Sequence, residues 1–517
     1  MRRFGQNERN VVSNYVALAI NVLAGIFLSP YILHRLGDAA FGIWVLIFSI
    51  TGHYGLFDLG IRSSVVRYVA KARARNDLEY GSRLISTSLF SYACIGGVTF
   101  LITLFVSANV STFFSIPPEF QRAARTLLLM VGAAVSLGFP LGISGGMLEG
   151  LQRFDVTSLT SIASTLLRAV LIVFALRRGH GLLVVAFITV VMPILSSLVR
   201  GLFALRLLPV RLSWKYVDRA TFREMANYSG VSFIMIVSTR MRFNSDEIIV
   251  GKFLSAAAIT YFNIGARIVD YAEEVVEAFS QIFVPMSGHA DARGDTDRLR
   301  KIFVLGNRLC SFITFPICAV LVILGKSVIE AWVGAKYIPQ SYPVLLLMVI
   351  PSTLMMAQSA SGRVLFGMAK HKTLAMVTLV EGIVNILLSI ALVRPYGIVG
   401  DALGTAIPLT ATMVFFLPGH VCRKLQIPQR VYLREAYLLP LILLTPTVVT
   451  LLLMKTWFVP HNYLQLAIHL LVAGAVYAAA LLWAFSTQRA MKFGGLAAPL
   501  GQFSPAGVSS EGFSSDI

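Results

Sequence analysis

Long apolar runs recur from residue 11 to residue 485 of this 517-residue chain. Each is long enough to cross a hydrocarbon core about 30 Å thick as a helix. Inside that core every backbone N–H and C=O needs an internal partner, so spanning segments are helices or closed barrels. The period-two alternation of an outer-membrane barrel is missing. Composition agrees with helices: only 13% of residues are charged and the mean hydropathy is +0.75, whereas soluble domains carry about 25% charged residues. The expected fold class is therefore an all-α polytopic membrane protein.

About fourteen spans are expected, near 11–33, 42–66, 84–107, 124–147, 155–176, 182–205, 226–251, 256–285, 304–325, 341–362, 373–393, 398–421, 436–455 and 463–485. Lys and Arg orient them. Of the 44 basic residues, 29 fall in one set of connections and ten in the other, with five inside spans. That bias puts both termini in the cytoplasm. The net charge of +19 thus marks a membrane face, and no nucleic-acid partner is expected. The N-terminus runs into the first apolar stretch without a cleavage pattern, so that span is read as retained.

The chain also repeats itself faintly. "NYVALAINVLAG" at 14–25 resembles "NYSGVSFIMIVS" at 227–238. "MLEGLQRF" at 147–154 resembles "VLFGMAKH" at 364–371, and "ALRRGHG" resembles "ALVRPYG" at nearly the same offset. Six spans separate the copies, so both halves share one orientation, as in parallel-repeat transporters. The expected organisation is a six-helix lobe over 1–210, a second over 211–425, two further helices in 426–486, and a disordered cytoplasmic tail over 487–517.

Ionisable side chains inside spans are costly and mark cavities or pathways. Asp58 lies nine residues from Arg67, and Glu381 nine from Lys372, each about 14 Å deep at 1.5 Å per residue. Arg168 lies equally far from Arg177 at the other face. Asp58 and Arg62 share a wheel face with Thr51 and Tyr54; their i,i+4 spacing also allows simple mutual neutralisation. Further polar stripes hold Asn14 and Asn21, then Arg240 and Arg242, then Arg267, Asp270 and Glu274, then Glu381 and Asn385. Arg168 and Glu381 lack an obvious partner on their own helices, which favours a shared hydrated cavity over isolated pairs. The expected substrate-contacting residues are Arg62, Arg168, Arg240, Arg242, Arg267, Asn21 and Asn385. Asp58, Asp270, Glu274 and Glu381 are the charge-balancing or ion-coupling set.

Enzyme signals fail. "GKS" at 325–327 lacks the first P-loop glycine, no HExxH occurs, and the cysteines at 94, 310, 318 and 422 form no CxxC. No catalytic residue, metal site or cofactor is expected.

The stretch 31–70, with Leu36-Gly37, Phe41-Gly42 and Asp58-Leu59-Gly60, resembles the polysaccharide-biosynthesis (Wzx-type) flippases of the MATE-like MOP superfamily. "SDEIIVGKFLSAAAITYFNIGARI" at 245–268 and "FVPMSGHADARGDTDRLRK" at 283–301 are similar to later motifs of that family. The resemblance implies a V-shaped fourteen-helix transporter that flips an undecaprenyl-type isoprenoid-pyrophosphate-linked oligosaccharide by alternating access. It implies H+ or Na+ coupling, the lipid bilayer as surroundings, and polysaccharide assembly proteins as partners. Peptidoglycan-precursor flippases and MATE-type drug or cation antiporters are the nearest alternatives. A membrane polysaccharide polymerase or ligase fits less well, because no large outer loop is present.

Overall fold

A computed structural model describes residues 6–226, 237 and 245–487. The chain is helical, with no strand among the described residues. Among the described residues, eleven helical stretches are long and apolar enough to cross a membrane. Most coincide with the expected spans. The span expected at 226–251 lies largely outside the described residues, as do the repeat copy at 227–238 and the tail beyond 487. The span expected at 256–285 is the helix Ala256–Ser280, too rich in acids to count among the eleven.

One stretch holds two passes. Lys372–Leu425 runs 54 residues, which as a straight helix would be about 80 Å long. It turns back at Gly397, whose φ of 61° and ψ of −142° leave the helical region. Ser389 Oγ donates to the Asp401 carbonyl at 3.2 Å, and Asn385 Nδ2 to Thr405 Oγ1 at 3.1 Å. These rungs on either side of the turn define an antiparallel hairpin. Gly404 lets its arms touch: a Cβ there would lie 2.5 Å from the Ser389 backbone nitrogen.

The second expected span is broken. Helix Asp38–Gly52 tightens into a 3₁₀ segment at His53–Asp58. Leu59 (φ 50°) and Gly60 (φ 77°) are then left-handed, and a new helix starts at Ile61. "DLG" is thus a helix stop, with the glycine supplying one of two positive φ angles.

The internal repeat is visible in the backbone. Helix Gln121–Gly150 ends with Gln152 left-handed, Gln152 N donating to Glu149 O, and Arg153 N donating to Leu148 O. Helix Ser359–Gly367 ends with Ala369 left-handed, Ala369 N donating to Phe366 O, and Lys370 N donating to Leu365 O. Both are Schellman caps, 217 residues apart. Asn76 and Gly294 cap the helices Ile61–Ala74 and Phe283–Ala292 in the same way.

The chain packs as two compact units. The described residues of 6–271, 328–351 and 372–412 make up the first, and those of 272–327, 352–371 and 413–487 the second. In the first, helices Gln6–Leu36 and Phe154–Arg177 run parallel, clasped by Ser158–Asn14 and Thr165–Asn21 bonds of 2.6 Å each. In the second, the buried Arg308 (2% exposed) grips Glu435 through its carbonyl at 2.6 Å and its carboxylate at 2.9 Å. That pair sits where the helix entering Leu439–Trp457 widens into a π turn over Arg434–Leu438. Tyr432 stacks on Phe303 beside it, ring centres 4.5 Å apart.

Gly404→Ala is expected to destabilise the protein by about 1–3 kcal/mol, because the new methyl meets backbone that cannot rotate away. A lower thermal transition in detergent checks this; an unchanged one would remove the close-approach explanation for Gly404.

Candidate functional site

The helix stop after Asp58 decides what the first polar group can do. Because the helix is interrupted, Asp58 and Arg62 are not an i,i+4 pair on one turn, and the single wheel face drawn through Thr51, Tyr54, Asp58 and Arg62 does not hold. Each takes a partner from another helix. The Tyr92 hydroxyl donates to the Asp58 carboxylate. Arg62 donates to Glu149 at 2.5 Å, with its own side chain still 52% exposed. Both line a cavity of about 430 Å³ with Thr51, Tyr92, Thr189 and Ser197, walled by glycines and aliphatic side chains of the Gln121–Gly150 and Leu182–Leu207 helices. That volume suits a small ligand or one end of a larger one. Tyr92 and Glu149 are site residues that sequence reasoning missed, since neither shares a helix with the group it holds.

Asn21 and Arg168 belong to a second group. The Asn21 carbonyl is occupied by the Thr165 hydroxyl, so Asn21 joins two helices. Arg168 lies one turn beyond Thr165 on helix Phe154–Arg177 and is partly buried. No ion pair reaches it among the described residues. On the neighbouring helix Leu182–Leu207, Arg200 donates to the Thr160 hydroxyl at 2.7 Å and the Thr157 carbonyl at 3.4 Å.

The third group lies on Ala256–Ser280. Arg267 pairs with Asp270 at 3.4 Å and stacks over Tyr271, 4.6 Å from the ring centre. Glu274 is one turn on, partly buried, within the second unit. Arg240 and Arg242 lie outside the described residues.

The fourth group is the most deeply buried. Glu381 is 4% exposed, Asn385 1%, Asp401 0% and Asp246 4%. A hydrogen-bonded chain runs from Ser389 to the Asn385 carbonyl (3.2 Å), from Asn385 Nδ2 to Thr405 (3.1 Å), and from Thr405 to the Asp246 carboxylate (3.1 Å). Glu247, next to Asp246, accepts from Ser49 at 3.3 Å. Neither carboxylate oxygen of Asp401 has a hydrogen-bond partner among the described residues, and Asp401 lies within electrostatic reach of Asp246 and Glu247. Several acids sharing a buried site cannot all ionise without strong mutual repulsion. The acids do not converge as a metal-ligand cluster among the described residues. Sequence reasoning found Glu381 and Asn385 here but passed over Asp401. Its i,i+4 relation to Thr405, facing Asn385 and Ser389 across the hairpin, was the available signal.

Comparison with known proteins places this architecture. The family described as "Polysaccharide biosynthesis protein" matches residues 32–343. A Shigella flexneri protein named "Putative O-antigen transporter" is 21% identical over 80% of this chain and 98% of its own length. The "Uncharacterized membrane protein EpsK" of Bacillus subtilis is 21% identical over 82% of this chain and 85% of its own. Among solved structures, Lipid II flippase MurJ in an inward closed conformation is similar in fold: the TM-score is 0.70 and the identity 14%, covering 93% of this chain and 99% of that one. An inward-facing MATE family transporter of the MOP superfamily matches with a TM-score of 0.67 at 13% identity, over 79% of this chain and 94% of that one.

A buried carboxyl group without hydrogen bonds is a liability to the fold. Asp401→Asn is therefore expected to leave thermal stability equal or raise it by about 1 kcal/mol, the pattern of a residue kept for activity. A drop in the thermal transition would instead make Asp401 a structural element.

Proposed function

Because the chain belongs to the polysaccharide biosynthesis protein family, we propose that it is a flippase. It carries an isoprenoid-pyrophosphate-linked oligosaccharide across the cytoplasmic membrane for polysaccharide assembly. The basic bias of its connections supports both termini lying in the cytoplasm. The repeated caps support two six-helix halves, 1–210 and 211–425, followed by two helices in 426–486.

The observation that carries the reading is Arg168. A guanidinium kept within a membrane helix with no carboxylate partner among the described residues is expensive, and an anionic visitor repays that cost. Pyrophosphate oxygens match the guanidinium fork. Arg62, half-exposed beside its cavity, is the second anion contact, with Glu149 and Asp58 holding the turn that presents it. Arg267 takes a lesser part, since Asp270 already neutralises it and Tyr271 already stacks on it; Arg240 and Arg242 complete the proposed cationic set. The headgroup needs this polar route because sugar and phosphate cannot cross hydrocarbon unaided, whereas the lipid chain can stay in the bilayer.

For energy coupling, the buried set Asp246, Glu247, Glu381 and Asp401 supports proton uptake better than metal-ion binding. Protons need no converging ligands, and each proton bound relieves repulsion among the remaining acids. Exchange of that proton against substrate would drive alternating access.

The extent of the structural match to Lipid II flippase MurJ favours a second reading, a peptidoglycan-precursor flippase, while the O-antigen naming of the Shigella relative favours the first. A drug or cation antiporter fits poorly with a membrane interior rich in arginine.

Proteoliposomes carrying labelled lipid-pyrophosphate-oligosaccharides test the proposal. Arg168→Ala is expected to slow transfer between leaflets about tenfold or more, the cost of one charge-assisted hydrogen bond, with normal expression. Wild-type rates in that variant would sink the assigned role. Asp401→Asn and Glu381→Gln are expected to abolish stimulation by an imposed pH gradient while a sodium gradient has no effect in any variant. Stimulation by sodium alone would overturn the proton assignment.

A further inference from the structure

The motif around Leu36-Gly37 and Phe41-Gly42 has no part in the function proposed above, yet it is built with unusual care. Asp38 opens helix Asp38–Gly52. Its carboxylate accepts from the Tyr337 hydroxyl at 2.6 Å, the Tyr261 hydroxyl at 3.2 Å, and Lys336 Nζ at 3.1 Å. Its backbone carbonyl accepts from Thr260 Oγ1 at 2.7 Å. One turn on, a Cβ at Gly42 would lie 1.8 Å from the Ala256 carbonyl oxygen. Helices Asp38–Gly52 and Ala256–Ser280 therefore meet backbone to backbone, which only glycine permits. Three remote stretches, 38–42, 256–261 and 336–337, are tied at one carboxylate, all within the first unit. In sequence, one belongs to the first copy of the internal repeat and the other two to the second.

We propose that Asp38 is a conformational latch. While its tyrosine bonds are made, the end of the bundle that carries it is shut. Breaking them is the step that lets that end open. Opening has a purpose only in a transporter, so the latch rests on the flippase reading. The energetics rank its parts. Lys336 is 63% exposed on its side chain, and exposed ion pairs contribute little. Tyr337 is 1% exposed and the Asp38 side chain 21%, so this charge-assisted bond is better shielded from water than the Lys336 pair and carries most of the hold. A purely structural tie would stabilise the fold without changing which conformation is populated. A latch shifts the balance of two folded states.

The test measures opening directly. Ala256, 3% exposed, is replaced by Ala256→Cys in a Cys94→Ala background that removes the one exposed cysteine among the described residues. Labelling with a membrane-impermeant maleimide is followed in detergent. Asp38→Asn is expected to speed labelling about tenfold, Tyr337→Phe several-fold, and Lys336→Gln less than twofold. All three should elute as monodisperse protein. Should Asp38→Asn fail to fold, Tyr337→Phe decides alone. Unchanged rates in a folded Tyr337→Phe variant, or equal acceleration by Lys336→Gln, would overturn the latch. A wild-type protein that moves no lipid in vesicles would remove the flippase reading and leave the labelling pattern standing, so the two failures are distinguishable.

Discussion

Everything in this protein depends on keeping polar groups satisfied in a medium that offers them nothing. The hydrocarbon core forces the backbone into helices, and it leaves each charged side chain two options: find a partner or line a cavity. The protein uses both. Arg62 with Glu149 and Arg308 with Glu435 are partnered across helices. No ion pair reaches Arg168 among the described residues, and the carboxylate oxygens of Asp401 have no hydrogen-bond partner there. Arg308 is sealed with its partner in the core, whereas Arg62 keeps half its side chain exposed beside a cavity although it is paired.

The helical, many-span fold was largely legible in the sequence because apolar length follows directly from bilayer thickness. The family was legible from the order of short motifs. The pairings were much less so. Asp58 and Arg62 looked like neighbours on a helical wheel, but a wheel assumes an unbroken helix, and Leu59 and Gly60 break it. Wheel arithmetic cannot see two consecutive left-handed residues, although "LG" after an acid was a hint. Tyr92, Glu149 and Asp401 were missed for a related reason. Each acts across helices, and the distance between helices is not encoded in the periodicity of either one.

Glycine placement tells the same story from the other side. Gly42, Gly404 and Gly397 look alike in composition. The first lets two helices touch, the second lets a hairpin close, and the third turns the chain. Only packing distinguishes these uses. The repeat is similar: its residues have drifted until Gln152 and Ala369 share no chemistry, yet both hold the same left-handed cap. Backbone conformation has outlasted side-chain identity.

The hairpin around Gly397 has a consequence for how the chain meets its membrane. Its polar residues satisfy one another across the turn: Asn385 with Thr405, and Ser389 with the Asp401 carbonyl. Presented singly to lipid, either arm would expose a polar stripe to hydrocarbon. Folded against each other, the arms turn the Asn385, Ser389 and Thr405 side chains inward, away from hydrocarbon. For these three side chains the smallest unit that hides its polarity from lipid is the pair of helices, not either helix alone.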